Sequence, residues 1–402
     1  MSQDPFDPSL RSRTSLGTSE AKGLRLLAHH DLAGNGDGFQ VMRNGDALYV
    51  GHNGTSRMGT SILDVSNPAA PGLVAQWPAP PHTHTHKVQI ADGLMLVNQE
   101  KFPMGPAPAA GPHSAGLAVY RLDDPFKPEP IGYWESTGRG VHRPTYTGGR
   151  YADLSATPEG FRDRIWVVID LEDPENPVEA ARWWWPGQRE DETPQWPEGE
   201  RFAAHHALID GDRAYLGYDD AGMLILDVSD MTAPQRVGLV AWEGGATHTC
   251  LPLPGAGVVV VTDEQQKDGP HAPERLMRVV SMAEERVIAV VLPPDPSFAE
   301  RPLRFGPHNL HENRPGSYRS ERLVFATYFS AGLRVYDLSD PEHPQEVAHW
   351  VAQPAPGQPV TQANDVFVDE DGLIWVTDRA GGGVSVLEAE PELAALMRDA
   401  EM

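Results

Sequence analysis

Cysteine is almost absent from this sequence: Cys250 is the only one in 402 residues. An internal disulfide is therefore excluded. The sequence also lacks any apolar run that approaches the roughly 18 residues of a membrane-spanning helix. Its first residues, Met1-Ser2-Gln3-Asp4-Pro5, contain no basic segment followed by an apolar one, so no signal peptide is visible. We therefore expect a soluble, cytoplasmic protein.

Basic residues are also scarce relative to acidic ones. The sequence has 32 Lys and Arg against 57 Asp and Glu, which gives a formal net charge of -25 at pH 7. This charge argues against the phosphates of a nucleic acid, or an anionic membrane, as a partner. We expect a small-molecule substrate instead. The sequence leaves open whether the chain forms a homo-oligomer.

Glycine and proline, in contrast, are abundant. The 39 Gly and 38 Pro predict many turns and few long helices, and the hydrophobic fraction of 40% is sufficient for a packed core. A chain of this length corresponds to two or three ordinary domains or to one large repeat fold.

A recurring strand and turn favours the repeat fold. Each good copy has an apolar run, an Asp, another apolar residue and a polar turn with Pro. The good copies are residues 61–68, 167–174, 224–230 and 334–341, with a weaker copy at 118–125 and degenerate copies near 279–281 and 384–388. The alignment column of this Asp recurs at 64, 121, 170, 227, 281, 337 and 388, at intervals of 49 to 57 residues; the weaker copies have Arg121, Ser281 and Glu388 in it.

Seven near-equal repeats, each with about four strand-like runs, predict an all-β fold: a seven-bladed β-propeller of four-stranded blades. The seventh repeat lacks a good fourth strand, whereas residues 24–28 resemble a fourth strand and have no blade of their own. We therefore predict that this N-terminal strand closes the ring in the last blade, which removes an open sheet edge. The predicted propeller spans residues 23–388. Residues 1–22 are predicted to be a disordered or extended tail, and residues 389–402 a short helix or tail, with the helix at 391–398.

Histidines open the first strand of five repeats. They are His84 and His86, His142, His205 and His206, His248, and His308 and His311. In four of the repeats one histidine lies ten residues before a residue of the second strand. Because equivalent positions of propeller blades face the same axis, we expect these imidazoles to converge as metal ligands do.

The predicted ligands of this axial metal come from four repeats. They are His86, His205 or His206, His248, and His308 or His311. Residues that are adjacent or three apart on a strand point to opposite faces, so one member of each pair is expected at the metal. The seventh repeat has Asn364 at this position, and the first has Phe39 or Gln40. The alternative is a set of structural histidines that hydrogen-bond across the channel.

Other residues near the histidines are candidates for catalysis. His142 is expected to be a fifth ligand or an acid–base group, and Arg143 and Tyr146 beside it are expected to reach a substrate. A ligating imidazole needs a partner for its second nitrogen, commonly a carboxylate, and Glu100 and Glu264 are available for this role. The alternative role for each carboxylate is loop capping.

The Leu/Ile-Val-Asp-Val-Ser-Asp-Pro turns, with a His before each inner strand, resemble the LVIVD-repeat family of bacterial propellers. The resemblance covers nearly the whole chain and implies the fold. In architecture the chain is also similar to the selenium-binding-protein or methanethiol-oxidase family and to the carotenoid-cleavage oxygenases, which place several histidines around an axial metal. This second likeness implies metal, reaction and substrate only by analogy of architecture.

A histidine-rich centre with open positions suits a divalent transition metal, and we favour iron or copper. The expected function is therefore that of a metalloenzyme, an oxidoreductase that uses O₂ on a small organic molecule. Mn or Zn would instead serve lyase or hydrolase chemistry. A non-catalytic propeller that binds a partner on its rim is the third hypothesis.

Overall fold

The computed structural model describes residues 16–103, 111–269 and 275–402. Within these ranges the chain forms antiparallel β-strands and one α-helix, α1 (Pro391–Ala400). The strands of the first half are β1 Thr18–Lys22, β2 Leu24–His30, β3 Gly38–Asn44, β4 Ala47–His52, β5 Met58–Asp64, β6 Gly72–Pro78, β7 Thr83–His84, β8 Val88–Ala91, β9 Leu94–Lys101, β10 Gly116–Arg121, β11 Glu129–Glu135, β12 Gly140–Thr145, β13 Tyr151–Thr157, β14 Ile165–Asp170 and β15 Val178–Trp183. The strands of the second half are β16 Ala207–Asp210, β17 Arg213–Gly217, β18 Met223–Asp227, β19 Gln235–Val240, β20 Thr247–Leu253, β21 Val258–Asp263, β22 Met277–Ser281, β23 Arg286–Val291, β24 Leu323–Thr327, β25 Leu333–Asp337, β26 Gln345–Ala352, β27 Ala363–Val368, β28 Ile374–Asp378 and β29 Gly383–Ala389.

These strands group into small sheets that follow one another along the chain. Five sheets have four strands each, and a sixth has nine strands. The nine-stranded sheet consists of two units, β7–β11 and β12–β15, whose strands pair with each other where Gly140 lies opposite Glu100. The described strands therefore divide into seven sheets, one for each sequence repeat. We call them blades 1 to 7, with inner strands β3, β8, β12, β16, β20, the segment around Leu310, and β27. The all-β propeller fold that the sequence predicts is confirmed.

The core lies between neighbouring blades. Within blade 4 the order β16-β17-β18-β19 follows the chain, and side chains alternate between the two faces of the sheet. Trp166 and Val168 of blade 3 belong to the same buried cluster as Leu216 and Leu224 of blade 4. Each such side chain contributes about 1.5–3 kcal/mol when it is fully buried. The blades are thus held around the axis by apolar layers between them.

The N-terminal strand closes the last blade. β2 pairs with β29 from Leu24 opposite Ala389 to His30 opposite Val384, and Leu24 is buried in the cluster that includes Leu387. This pairing supplies the fourth strand that the seventh repeat lacks. The prediction of a ring closed by residues 24–28 is confirmed, and the strand is two residues longer than predicted.

The segments outside the predicted propeller also pack against it. β1 pairs with β26 as the outermost strand of blade 6, so residues 18–22 of the predicted tail form an edge strand; residues 1–15 lie outside the described ranges. α1 follows β29 where the sequence predicts a helix, and its Leu393 and Met397 are buried beside blade 7. Among the described residues, no helix combines the length and hydrophobicity needed to cross a bilayer.

Candidate metal centre

β-bulges interrupt the inner strands of four blades at equivalent positions. The register shifts in blades 1, 3, 5 and 7 occur at Phe39, His142, His248 and Asn364. A bulge sets two residues of one strand opposite one residue of its partner and re-aims a side chain. These four residues are the ones that the repeat alignment assigns to a shared position. The bulges therefore explain how the inner strands turn this position towards the axis.

The even-numbered blades have a related arrangement. In blade 4, His205 N–H donates to the carbonyl oxygen of Gly217 at 2.8 Å, and Gly217 N–H donates to that of His206 at 3.3 Å. Two residues of the inner strand thus oppose one residue of the second strand. His308 and Thr327 in blade 6 repeat the first of these bonds at 2.9 Å.

Two glycines allow the histidine-bearing strands to approach closely. A Cβ on Gly217 would lie 2.4 Å from the carbonyl oxygen of His248 in the next blade. A Cβ on Gly51 would lie 2.5 Å from the carbonyl oxygen of His86, also in the next blade. Side chains at these positions are excluded by backbone atoms, so glycine sets the spacing between successive blades at the axis.

The aligned residues form a closed ring around the axis. Successive ring centroids are separated by 5.0 Å for Phe39 and His86, 5.0 Å for His86 and His142, 5.3 Å for His142 and His205, 3.6 Å for His205 and His248, and 4.5 Å for His248 and His308. His308 Nδ1–H donates to the Asn364 carbonyl oxygen at 2.8 Å, and the Asn364 amide donates to the Phe39 carbonyl oxygen at 2.5 Å. Histidines from five blades thus meet in one cluster, as the repeat alignment predicts.

A cavity of about 390 Å³ lies against this ring. The inner strands contribute Phe39, Lys87, His142, His205, His248 and His308. The surrounding segments contribute Glu100, Lys101, Arg139, Thr157, Asp163, Arg164, Arg201, Glu264, Gln266, Arg304 and Arg379. The predicted site residues Glu100, Glu264 and His142 are therefore in one cavity with His205, His248 and His308.

The Glu264 carboxylate lies between two of these imidazoles. Its Oε2 is 3.9 Å from His248 Nε2, and its Oε1 is 3.5 Å from His308 Nε2. Both separations are longer than the roughly 2.7–3.2 Å of a hydrogen bond. Two ligands at about 2.1 Å from one tetrahedral ion are themselves about 3.4 Å apart. The separations are therefore close to those of ligands that share an ion.

The hydrogen bonds of the second ring nitrogens support this interpretation. His308 Nδ1 lies against a carbonyl oxygen, which can only accept, so Nδ1 carries the hydrogen and Nε2 has the lone pair. Thr249 Oγ1 can donate to the His308 carbonyl oxygen at 3.4 Å and accept from His248 Nδ1 at 2.9 Å, and in this arrangement His248 has the same tautomer. Two lone pairs thus face the Glu264 carboxylate.

Three acceptors in one place need a cation or a proton between them. Burial lowers the pKa of His248 and of His308 well below the usual value, so protonation of these rings does not supply it. Arg304 donates to Glu264 Oε1 at 2.8 Å, which satisfies one carboxylate oxygen and leaves Oε2. His248, Glu264 and His308 therefore fit a metal ion, with all their ligand atoms within 4.8 Å of one another.

His205 is the member of its pair that faces the cavity. His205 Nδ1 is 2.7 Å from His206 Nδ1, and His206 Nε2 lies 3.7 Å from the Glu312 carboxylate. One of these two Nδ1 atoms donates to the other, and the His205 ring lies beside the His248 ring, with 3.6 Å between the ring centroids. His206, which is also a predicted ligand, orients His205 instead.

His86 differs from the other predicted ligands in its hydrogen bonds, and its role as a ligand stays a prediction. The Asn98 amide donates to His86 Nδ1 at 3.1 Å and to the Val141 carbonyl oxygen at 2.9 Å, while its oxygen accepts from Lys87 N–H at 2.8 Å. The two backbone bonds fix the amide orientation, so His86 Nδ1 must accept and Nε2 carries the hydrogen. That nitrogen is buried and has no hydrogen-bond partner in the described part of the chain.

A second group of close ligand atoms comprises His84, His86 and Glu100. Here the contacts are ordinary hydrogen bonds: Glu100 Oε2 accepts from His84 Nε2 at 2.8 Å and from His142 Nδ1 at 2.9 Å. Burial raises the pKa of Glu100, but its bonds to His142 and His84 outweigh burial and hold the pKa below its ordinary value. This group is a carboxylate–imidazole network, and the first group remains the better metal candidate.

His142 is thereby prepared as a proton acceptor. Its Nδ1–H is held by Glu100, so the lone pair is on Nε2, and the ring lines the cavity. Burial lowers the pKa of His142 to about 4, with Glu100 opposing the shift, so the ring is neutral at pH 7. An oriented, neutral imidazole beside a cavity can accept a hydrogen bond from a bound group.

Two predicted site residues lie elsewhere. Arg143 donates to Asn309 Oδ1 at 2.9 Å and to Glu312 at 2.5 Å, so its side chain spans the channel from blade 3 to blade 6. Arg143 does not line the cavity. The Tyr146 hydroxyl donates to the Gly149 carbonyl oxygen at 3.0 Å at the far end of its strand. Neither residue is placed to contact a substrate at the histidines, because both follow the bulge and continue away from the cavity.

His311, the alternative to His308, has no nitrogen available for a metal. Its Nε2–H donates to the Tyr318 carbonyl oxygen at 2.7 Å, and its Nδ1 accepts from Val368 N–H at 3.2 Å. This histidine connects blade 6 to blade 7. The expectation of one metal-facing residue in this pair therefore resolves in favour of His308.

Sequence reasoning missed the cations of the cavity. Lys87 directly follows His86, so its position next to a predicted ligand was a usable signal. Arg164, Arg304 and Arg379 come from segments that are not equivalent between repeats. They form no column in the alignment, and only the folded chain brings them together.

The fold and the site together define a β-propeller with histidine and glutamate groups that could hold a metal ion. Residues 36–77 and 204–241 match the family described as LVIVD repeat. The matched segments include blade 1 and blade 4, and they support a β-propeller family with such repeats. No curated protein matches the chain by sequence.

Solved structures support the same fold. The chain is similar to the structure titled "Structure of U3-55K", with 10% identity, a TM-score of 0.58 and coverage of 92% of this chain and 99% of that one. It is also similar to "Crystal structure of RRP9 WD40 repeats", with 8% identity, a TM-score of 0.58 and coverage of 93% and 100%. A chain of "Crystal Structure of Mitotic Checkpoint Complex" gives 9% identity, a TM-score of 0.56 and 96% coverage of both chains. At these identities the likeness shows the fold alone.

Proposed function

We propose that this protein is a metal-dependent enzyme whose ion is bound by His248, His308 and Glu264, with His205 beside them. The observation that carries the proposal is the gap between the Glu264 carboxylate and two imidazole lone pairs, at 3.5 and 3.9 Å. Neither a hydrogen bond nor a protonated ring fills this gap, and Arg304 pairs with the carboxylate only through Oε1. A divalent ion would fill the gap by binding Oε2 and the two lone pairs.

The ligand types favour iron among the metals that the sequence suggests. Two histidines and one carboxylate with open positions are the usual ligands of non-haem Fe(II) in oxygenases. The proposed reaction is therefore an oxidation of a small organic molecule with O₂. Copper was favoured equally on an all-histidine centre, but a carboxylate ligand makes it the weaker candidate. The expected likeness to selenium-binding proteins and carotenoid oxygenases carries no part of this argument.

The chain's own residues have separate roles in this proposal. Glu264 and the two histidines bind the ion, while Glu100 orients His142 so that its Nε2 can take a proton from a bound substrate. His206 and Glu312 orient His205. The cavity of about 390 Å³ is large enough for a small organic molecule.

Two other functions have an observation in their favour. Two histidines and a glutamate also bind catalytic Zn, and a neutral His142 suits the proton transfer of a lyase or hydrolase. A non-catalytic scaffold is favoured by the structural likeness to WD40 repeats. A cytoplasmic location and the absence of nucleic-acid partners stay predictions of the sequence.

Elemental analysis of protein purified without a histidine tag tests the proposal. We expect close to one equivalent of metal per chain. His248→Ala should lose most of it, and the matched control His311→Gln should retain it, because His311 is buried and hydrogen-bonded but offers no nitrogen to the ion. Circular dichroism would verify that both variants are folded.

The outcome also separates the candidate functions. Iron with a substrate-dependent O₂ uptake supports the oxidoreductase. Zn or Mn with activity that persists without O₂ supports the lyase or hydrolase. If wild-type protein contains no metal and does not take any up after incubation with Fe(II), Zn(II) or Mn(II), the enzyme proposal fails and the scaffold function replaces it.

A further inference from the structure

The cavity beside the candidate metal centre is unexpectedly cationic. Seven lysines and arginines line it against three carboxylates, in a chain whose formal net charge is -25. The lining histidines do not change this balance at neutral pH, because burial lowers the pKa of each of them. A positive cavity in an acidic protein points to a ligand of negative charge.

Part of this charge is neutralised within the protein. Arg201 forms ion pairs with Asp163 at 2.8 Å and with Asp219 at 2.6 Å. Arg304 pairs with Glu264 at 2.8 Å. The charges of these two arginines are therefore balanced by carboxylates of the protein.

Two other cations have no such partner. Lys87 Nζ and Arg379 Cζ are both 4.7 Å from the centroid of the same ring, that of Phe39. Arg379 makes a long hydrogen bond of 3.4 Å to Asn364 Oδ1, and in the described part of the chain neither cation forms an ion pair with a carboxylate. Burial lowers the pKa of both groups, that of Lys87 well below its usual value, while Glu264 opposes the shift without forming an ion pair with either group. The phenyl ring offsets only a part of the cost of burying these donors.

A third buried cation is incompletely satisfied. Arg164 lies 3.8 Å from Asp219, and its Nε is buried with no hydrogen-bond partner among the described residues. The cavity thus holds more donors than the protein itself satisfies. An oxyanion is the group that guanidinium and ammonium donors bind best.

The position of these cations relates them to the metal candidate. Arg379 Cζ lies 6.0 Å from the centroid of the Phe329 ring, which stacks on the His308 ring with 4.6 Å between their centroids. A group bound between Lys87 and Arg379 would therefore lie next to His308. Burial and the neighbouring Arg304 lower the pKa of Arg379 to about 10, so this guanidinium remains charged at neutral pH.

We propose that the cavity binds a small organic molecule through an oxyanion group, a carboxylate or a phosphate, with Arg379 and Lys87 as its partners. Identifying this molecule as the substrate rests on the function proposed above; the binding itself does not. The volume of about 390 Å³ is near the lower end of ligand cavities and suits a molecule of a few carbon atoms. Its anionic end lies beside His308, and the remainder extends towards His142.

Isothermal titration with three probes tests the binding. Succinate and inorganic phosphate represent the two oxyanions, and succinamide has nearly the shape of succinate without its charge. The titrations use metal-free and metal-loaded protein. The variants are Arg379→Gln and Lys87→Met, with Arg286→Gln as control, because Arg286 is a 61% exposed arginine on an outer strand.

We expect one or both oxyanions to bind metal-free wild-type protein and succinamide not to bind. Arg379→Gln should weaken binding by about tenfold or more, since a hydrogen bond to a charged group contributes about 1.5–3 kcal/mol. Lys87→Met should act in the same direction, and Arg286→Gln should bind as wild type does. If Lys87→Met does not fold, Arg379→Gln alone decides.

The proposal is overturned if neither oxyanion binds at millimolar concentration, if succinamide binds as well as succinate, or if Arg379→Gln leaves the affinity unchanged. Binding that requires the metal and ignores Arg379 also overturns it, because the anion would then be a metal ligand only. Oxyanion binding in a protein that takes up no metal would support this inference while the proposed enzyme fails. If the protein binds metal but neither oxyanion, the metal site would be supported and this inference would fail.

Discussion

Replacing His311 with glutamine should remove an acid-sensitive contribution to stability without removing metal. In the fold, His311 Nε2–H donates to the Tyr318 carbonyl oxygen and its Nδ1 accepts from Val368 N–H. A glutamine amide offers one donor and one acceptor and can take over both bonds. Burial lowers the pKa of His311 from 6.5 to about 4, so the folded protein holds the ring neutral.

The sign of the pH dependence follows from this shift. Below pH 6.5 the unfolded chain takes up a proton at this position, whereas the folded chain does so only near pH 4. His311 therefore contributes full stability above pH 6.5, and this contribution falls as the pH decreases towards 4. Glutamine does not titrate. Between pH 7.5 and pH 5.5 the wild type should lose about 1.4 kcal/mol relative to the variant, and by pH 4.5 about 2.5 kcal/mol.

Urea unfolding of both metal-free proteins at pH 7.5, 6.5 and 5.5 measures this difference. Comparing the two proteins at each pH cancels the other titrating groups, several of which shift in the opposite direction: burial raises the pKa of Asp153 to about 7 and of Asp365 to about 6. A difference between wild type and His311→Gln that stays constant over this range would refute the reasoning, because His311 would then be exposed or charged in the folded state.

Two further predictions concern the architecture around the axis. Gly217→Ala should destabilise the protein by about 1–3 kcal/mol and reduce its metal content, because the new Cβ meets the backbone of His248; Gly72→Ala, whose Cβ meets no atom within 4 Å, should do neither. Deletion of residues 1–30 should cost several kcal/mol more than deletion of residues 1–22, because only the longer deletion removes β2 and the buried Leu24 from blade 7; equal melting temperatures for the two truncations would contradict the ring closure.

The fold could be predicted from the sequence because its signal is repeated. One apolar strand that ends in Asp and a polar turn says little, but the same strand and turn at Asp64, Asp170, Asp227 and Asp337 indicate a repeated sheet. The last repeat lacks a fourth strand, and the strand near Leu24 has no repeat of its own. The repeat pattern therefore also predicts that this strand completes the last blade. The edge strand β1 has no equivalent in other repeats and only five exposed residues, so no pattern predicted it.

The candidate site was predictable in position and less so in chemistry. Equivalent positions bring His142, His205, His248 and His308 together because the blades share one axis. The sequence does not show which nitrogen of each ring carries the hydrogen. That depends on hydrogen-bond partners such as Asn98 on strand β9, which lies in a different segment from the histidine that it contacts. The amide of Asn98 is the reason why His86 meets the cluster and still does not offer a lone pair.

The structure does not bring Arg143 and Tyr146 to the cavity, for a related reason. Proximity in sequence to His142 suggested proximity to the substrate, but a strand that leaves the axis carries its next residues away from the cavity. Arg379, which no repeat marks, reaches the cavity through a loop at the end of β28. Loops that differ between repeats therefore determine the charge of the site, whereas the repeated strands determine where the site lies.

The most direct test of the account is a crystal structure of metal-loaded protein with anomalous diffraction recorded at the edge of the bound metal. The account predicts a peak at about 2.0–2.2 Å from His248 Nε2, from His308 Nε2 and from a Glu264 oxygen. A peak between His84, His86 and Glu100, or no peak at the axis in protein that contains stoichiometric metal, would contradict it.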